Sequence, residues 1–378
     1  MKANRFANVT SKNQNLVSVV CICYNHEKYI ARAIDSFLSQ NHPDFNIEII
    51  VADDASTDKT NEIIAKYASK NKDVIRPILR NKNVGIQHNL FSALSEAKGE
   101  YIALCEGDDY WTDNDKLAKQ IQYMQTNQKA AICFHSVEVV QESSGAKEVF
   151  PGPEYWNSRT IESLLKTNYI QTNSVVYRRL KEYKEPIEKM LPIDWYLHIL
   201  HALNGPIGFI KTASPMSVYL RHEGSVWWRT ESTEITFWEK NIALHLQMHQ
   251  EVLKLVKGNQ RYVSAAYVAI NRNLSDFLRV MKLAKKHDCV RMVVRQFPEL
   301  IENHLLSQVA ASEKDSQKIR ILERADESNR NELAVAKHEI SHLKEQVALL
   351  ESELKHPLRA IIRKIIKRFN KLRSQRKV

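Results

Sequence analysis

The chain has 378 residues, 43% of them hydrophobic and 26% charged, a balance that excludes global disorder and suggests two or three domains. It holds only nine glycines, none placed to spell GxGxxG or GxxxxGK, which excludes a dinucleotide loop and a P-loop. The net charge of +11 belongs to the C-terminal end: residues 357–378 carry nine cations and no acids, leaving 46 Lys+Arg against 44 Asp+Glu, so the body does not read as a nucleic-acid binder.

The first 135 residues alternate apolar runs of strand length with stretches of helical periodicity. Residues 17–23 read as a buried strand, and 27–40 as a helix with Ile30, Ile34, Phe37 and Leu38 on one face. Strand 48–52 and helix 58–68 follow, then strand 74–79 and helix 87–97. Strand 101–105, helix 114–125 and strand 130–137 complete the series. Alternating βα units of this kind predict an α/β fold with a mostly parallel sheet. The polar residues cluster after the strands, at Tyr24-Asn25, Asp53-Asp54, residues 81–85 and residues 106–109. Open α/β sheets bind ligands at those carboxyl ends.

Residues 234–305 are helical in pattern, with Trp238, Ile242, Leu246, Leu274 and Phe277 among the apolar positions. A heptad then places Leu333, Ile340, Val347 and Leu354 at a, and Ala336, Leu343 and Leu350 at d, until Pro357 stops it. The predicted domains are a polar leader 1–14, a catalytic domain 15–230, a helical domain 231–305, a coiled coil 306–356 and a basic amphipathic helix 357–378. The coiled coil favours a homodimer. The last stretch repeats Leu358, Ile361, Ile362, Ile365, Phe369 and Leu372 among its cations, a pattern for an anionic membrane surface.

The five cysteines form no CxxC and lie mostly in apolar runs, as buried reduced thiols do. No apolar signal region opens the chain, and no run approaches the roughly 18 residues of a membrane span. The expectation is a cytoplasmic protein, peripheral at the inner face of the membrane. His245/His249 and His338/His342 have i, i+4 spacing; zinc would want a further ligand, HLQMH at 245–249 lacks the Glu of HExxH, and both pairs read as structural.

Four motifs carry a resemblance. VSVVCICYN at 17–25, EIIVADDASTD at 48–58, KGEYIALCEGDDYW at 98–111 and YLRH at 219–222 resemble glycosyltransferase family 2, in order and over about residues 15–230. Ala55 stands where Gly is common in that family, and Glu106 where Asp is common. The resemblance implies a GT-A fold, a nucleotide-sugar donor (UDP-linked first), a glycan or lipid-linked acceptor of bacterial surface polysaccharide, and inverting transfer of a single sugar.

It also implies roles. Tyr24, Asn25, Asp53, Asp54, Asn83 and Gly85 would hold the nucleotide, with Asp54 on the base edge. Asp108, Arg221 and His222 would lie near the diphosphate. Asp109, with Asp108 and Glu106, would hold Mg²⁺ or Mn²⁺, a hard cation suited to carboxylates and phosphate oxygens where no glycine loop exists. Asp194, in LPIDWYL, would be the general base, although an Asp before an apolar helix also serves as a cap. Trp227-Trp228 either line an acceptor pocket or close the core. Two other readings stay open: a catalytically inactive GT-A scaffold at the membrane, and a nucleotidyltransferase.

Overall fold

The computed structural model describes residues 6–7, 15–157, 159–225 and 233–322. The predicted membrane helix, most of the coiled coil and leader, and Trp227-Trp228 lie outside the described residues. The chain divides into two compact units, the first comprising residues 1–230 and 247–267 and the second residues 231–246 with those from 268 onwards.

The first unit begins with β1 (Leu16–Cys23), α1 (Ile30–Leu38), β2 (Asn46–Asp53), α2 (Thr60–Lys70), β3 (Ile75–Leu79), α3 (Ile86–Glu96) and β4 (Tyr101–Leu104). After it come β5 (Tyr110–Trp111), α4 (Lys116–Thr126), β6 (Ile132–His135), β7 (Val137–Gln141), β8 (Lys147–Phe150), α5 (Ile161–Lys166) and β9 (Val176–Arg178). It continues through α6 (Ile193–Ala202), β10 (Ile207–Ile210) and β11 (Ser217–Arg221).

Seven strands form the main sheet in the order β10-β6-β9-β4-β1-β2-β3. β1 pairs in parallel with β2 and β4, β2 with β3, and β10 with β6. β9 lies antiparallel between β4 and β6, so the sheet is mixed, one antiparallel strand among six that run the same way. The expected single strand at 130–137 is two strands. Buried Ser136 breaks it by bonding the Pro151 carbonyl at 3.1 Å, and β7 leaves for a second sheet of order β5-β11-β7-β8.

β1 explains the core. Val17, Val19, Val20 and Cys21 are all buried, so both faces of the strand are covered and the run is apolar throughout. α1 places Ile30, Ala33, Ile34 and Phe37 against it, the face that its i, i+4 spacing predicts. The register sets Cys23 opposite Asp53 and Val20 opposite Leu104, so the carboxyl ends of β1, β2 and β4 finish side by side. Their following loops therefore meet above one edge of the sheet.

The second unit draws on α7 (Glu234–Val256) and α8 (Gln260–Leu283), with α9 (His287–Gln296) and α10 (Pro298–Leu322). Trp238 meets Phe277 edge-on at 6.3 Å, beside buried Ile242, Leu246, Leu274 and Met281.

Candidate active site

Tyr24 directly follows β1 and is 43% exposed, an aromatic side chain open to solvent at the edge of the sheet. Asn25 takes a positive φ of 58° and accepts from Thr57 N–H at 2.8 Å, while its own N–H donates to Ser56 at 2.9 Å. This ties the β1 loop to the turn after β2. Asp53 is fully buried; it accepts from the Ser56 N–H at 3.0 Å and also bonds the Ser56 hydroxyl. Asp54 is buried as well. Its Oδ1 accepts from Val84 N–H at 2.8 Å and its Oδ2 from Gly85 N–H at 2.9 Å. Asn83 donates back to the Asp54 carbonyl at 3.1 Å. The turn at 83–85 is thus built on Asp54, and each carboxylate oxygen retains a second lone pair for a ligand.

The turn after β4 carries the acidic group. Gly107 donates its N–H to the Ile22 carbonyl at 3.0 Å and passes so close over β1 that a Cβ would lie 2.8 Å from Cys23 Cβ. Only glycine allows that approach, and it brings the next two residues over the strand end. Asp108 Oδ2 then lies 3.1 Å from His222 Nε2 and 3.9 Å from His26 Nε2. Burial alone would raise the Asp108 carboxyl; the hydrogen bond from His222 and the charges of His26 and His222 outweigh it and hold it below the usual range.

Asp109 is placed differently. It is 2% exposed, its Oδ1 accepting from Leu220 N–H at 2.9 Å and its Oδ2 from Asn173 Nδ2 at 3.0 Å. Burial first, then Asp108 and Glu106, push it well above the ordinary carboxylate value. Glu106 is also pushed up, to about 8, by burial and by the charges of Asp108 and Asp194. The Thr172 side chain hydrogen-bonds it.

Asp194 sits in the first turn of α6 and accepts from Asn168 Nδ2 at 2.9 Å. Burial raises its carboxyl against the backbone N–H of Trp195 and the Asn168 amide, which lower it. Arg221 turns away from this group to Glu148 on β8, 3.2 Å distant. Asp108, His222, Glu106 and Asp194 are therefore brought together, Asp109 lies beneath them, and the Asp54 turn stands at the neighbouring strand end.

The sequence reading passed over His26, Asn168, Thr172 and Asn173. His26 directly follows the Tyr24-Asn25 strand end, a positional signal; the other three lie in a stretch with no motif.

Among the described residues, no group of three or more His, Cys, Asp or Glu side chains could hold a metal ion by itself. The donor set at Asp108 and His222 instead fits a cation that completes its shell with phosphate oxygens and water.

A family model, Glycosyl transferase family 2, matches residues 18–183. The chain is 31% identical over 261 residues, 68% of its own length and 93% of the relative's, to the UDP-Glc:alpha-D-GlcNAc-diphosphoundecaprenol beta-1,3-glucosyltransferase WfaP of Escherichia coli. The chain belongs to glycosyltransferase family 2. An uncharacterised protein of Mycobacterium tuberculosis is 42% identical over 244 residues, 65% of this chain and 70% of that protein. The fold of this family 2 chain is that of TarS residues 1–349 from S. aureus, solved with UDP-GlcNAc: TM-score 0.54, 18% identity, 78% of this chain and 84% of that one. Among the described residues no helix is long and apolar enough to cross a membrane.

Proposed function

We propose that the chain transfers one sugar, with inversion, from a UDP-sugar to a lipid-linked glycan acceptor of bacterial surface polysaccharide. One observation carries this reading. Asp108 Oδ2 meets His222 Nε2 at 3.1 Å in the turn after β4, at the carboxyl edge of the sheet where Asp54 holds the N–H groups of Val84 and Gly85. Tyr24 offers its exposed ring to the nucleobase, and the turn of Asp54, Asn83 and Gly85 frames the base edge. The names of the relatives support the donor and acceptor classes: WfaP takes UDP-Glc and a diphosphoundecaprenol-linked sugar, and TarS was solved with UDP-GlcNAc.

In the step proposed, an acceptor hydroxyl oxygen attacks the anomeric carbon from the face opposite the diphosphate. The bond from that carbon to the diphosphate oxygen breaks, and UDP departs with the electron pair. Asp194 takes the hydroxyl proton. Asp108 and His222 are the residues that would hold Mg²⁺ or Mn²⁺, with Asp109 and Glu106 beneath. When bound, the cation supplies charge neutralisation to the leaving diphosphate.

A donor screen that reads released nucleotide, run with Mn²⁺ and with excess EDTA, tests this. Transfer from UDP-sugars that EDTA abolishes is expected; pyrophosphate release would favour a nucleotidyltransferase, and no turnover with any donor would favour an inactive scaffold. The coiled coil as homodimer contact and the basic stretch 357–378 as a membrane-surface helix stand as proposals from sequence alone. Sedimentation of the full chain against residues 1–330, and binding to anionic against neutral liposomes, test them.

A further inference from the structure

β9 and α6 bring a second pair of polar side chains behind Asp194. His198 lies one helical turn after Asp194 on α6 and is fully buried. Its Nδ1 is 2.5 Å from the Tyr177 hydroxyl of β9. Its Nε2 makes no hydrogen bond of ordinary geometry, yet it is held 4.0 Å from Asp194 Oδ2. A buried, unpaired imidazole nitrogen is costly, so its placement needs a reason.

We infer that Tyr177 and His198 position the catalytic base: the Tyr177 hydroxyl donates to His198 Nδ1, which fixes the proton on Nε2 and aims that N–H at the Asp194 carboxylate. The inference rests on the reading of Asp194 as the base.

The direction of the hydrogen bonds follows from the surroundings. Burial, with the charge of Asp194 adding to it, pushes the Tyr177 phenol well up, so it keeps its proton and has one to donate. Burial pulls His198 down to about 3, with His201 contributing, so the ring is neutral and carries one N–H. The group facing Nε2 is the Asp194 carboxylate, an acceptor, so the single proton belongs on Nε2. A lone pair there would instead face a carboxylate.

The cage around Tyr177 is rigid. Its ring stacks on His201 with centroids 3.8 Å apart and planes at 9°. His201 is fixed in turn: its Nδ1 donates to the Leu197 carbonyl at 2.9 Å, and its Nε2 accepts from the Tyr183 hydroxyl at 3.1 Å. Asn168 holds the same Asp194 oxygen from the other side at 2.9 Å. The carboxylate is thereby held by the Asn168 amide and the Trp195 N–H and faces the His198 imidazole across 4.0 Å. The 4.0 Å gap is of the kind that closes when substrate is bound.

The test separates positioning from packing. His198→Leu fills the space and removes the N–H; kcat is expected to fall about tenfold, the low end for losing an outer-shell partner, with KM for the donor and the affinity for UDP unchanged. His198→Gln, whose amide nitrogen can stand where Nε2 stood, is expected to restore most of kcat. Tyr177→Phe keeps the ring on His201 and loses only the hydroxyl, and is expected to lower kcat in the same sense.

Parental kcat in a folded His198→Leu would overturn the inference, as would equal losses in the Leu and Gln variants. If His198→Leu does not fold, an unchanged kcat in Tyr177→Phe overturns it alone. A parental rate in Asp194→Asn would strike down the base assignment itself, whereas an inactive Asp194→Asn beside a full-rate His198→Leu removes only the role of His198.

Discussion

Gly85 donates its N–H to Asp54 Oδ2 at 2.9 Å, and it does so at φ +90°, ψ 153°, a conformation that only glycine holds cheaply. The carboxylate and the glycine depend on each other: one supplies the acceptor, the other the backbone path that reaches it. Asp54→Ala leaves the Val84 N–H without its acceptor, at about 1–3 kcal/mol where it is shielded from water, while the Gly85 N–H keeps Asn83 Oδ1 at 3.1 Å. Gly85→Ala adds backbone strain of about 1–3 kcal/mol. Both variants are expected to lower the urea midpoint and to weaken UDP binding by calorimetry. Full UDP affinity in both would show that the turn does not frame the nucleotide.

Asp108 and Asp109 are adjacent in sequence but differ in what holds them, and the two should separate in experiment. Asp109→Ala deprives the Leu220 N–H and the Asn173 amide of their acceptor inside the core, for a loss of about 2–4 kcal/mol in stability. Asp108→Asn should leave the urea midpoint nearly unchanged and abolish Mn²⁺-dependent binding of UDP. The reverse pattern, a destabilised Asp108→Asn and a stable Asp109→Ala without Mn²⁺-dependent binding, would exchange the two roles.

Asp194 is half-buried and its carboxyl is raised, so it accepts a proton at a higher pH than an ordinary aspartate near 3.9. A general base works only when ionised. kcat/KM is therefore expected to fall as pH drops through that raised value, with the acid limb lying above the ordinary aspartate value. Asp194→Asn should remove at least about 100-fold of the rate and leave no such limb. Glu106→Gln is the control, because Glu106 is also raised; a limb that vanishes in Glu106→Gln but survives in Asp194→Asn would assign it to the wrong carboxylate here.

The legible part of the fold is the part set by local pattern. The runs at 17–23, 48–52 and 101–105 became β1, β2 and β4 because a strand covered on both faces must be apolar along its whole length. The polar residues that follow them could be placed at one sheet edge from the same reasoning. What the pattern did not carry depends on contacts distant in sequence. β9 enters antiparallel between β4 and β6 on three residues, too short a run to show a period. Asn173 meets Asp109 across 64 positions, and His222 meets Asp108 across 114. His198 looks like one more member of the apolar α6 face, and only Tyr177 on another strand gives it a role.

Lys116 offers a test of the core that is independent of the chemistry. It is fully buried, its Nζ donating to Gln120 Oε1 at 2.7 Å and lying 4.1 Å from the centroid of the Trp111 ring. Burial pulls it down to about 7, against the opposing effects of Cys105, Cys133 and Asp113. In the unfolded chain a lysine holds its proton up to about pH 10.4. Between those two values the unfolded state binds more protons than the folded one, so stability rises with pH across that window. Below about pH 7 both states are protonated and the folded state bears the whole cost of a buried cation. Lys116→Met removes this dependence. Its loss of the Gln120 contact is a constant of about 1 kcal/mol, and Gln120 stays anchored by its amide on the Cys133 and Ser174 carbonyls. The stability of the variant relative to the parent should therefore be most favourable near and below pH 7 and decline steadily toward about pH 10. Urea midpoints of the two proteins across that range measure it. Parallel curves would mean that Lys116 keeps an ordinary lysine's proton affinity in the folded protein.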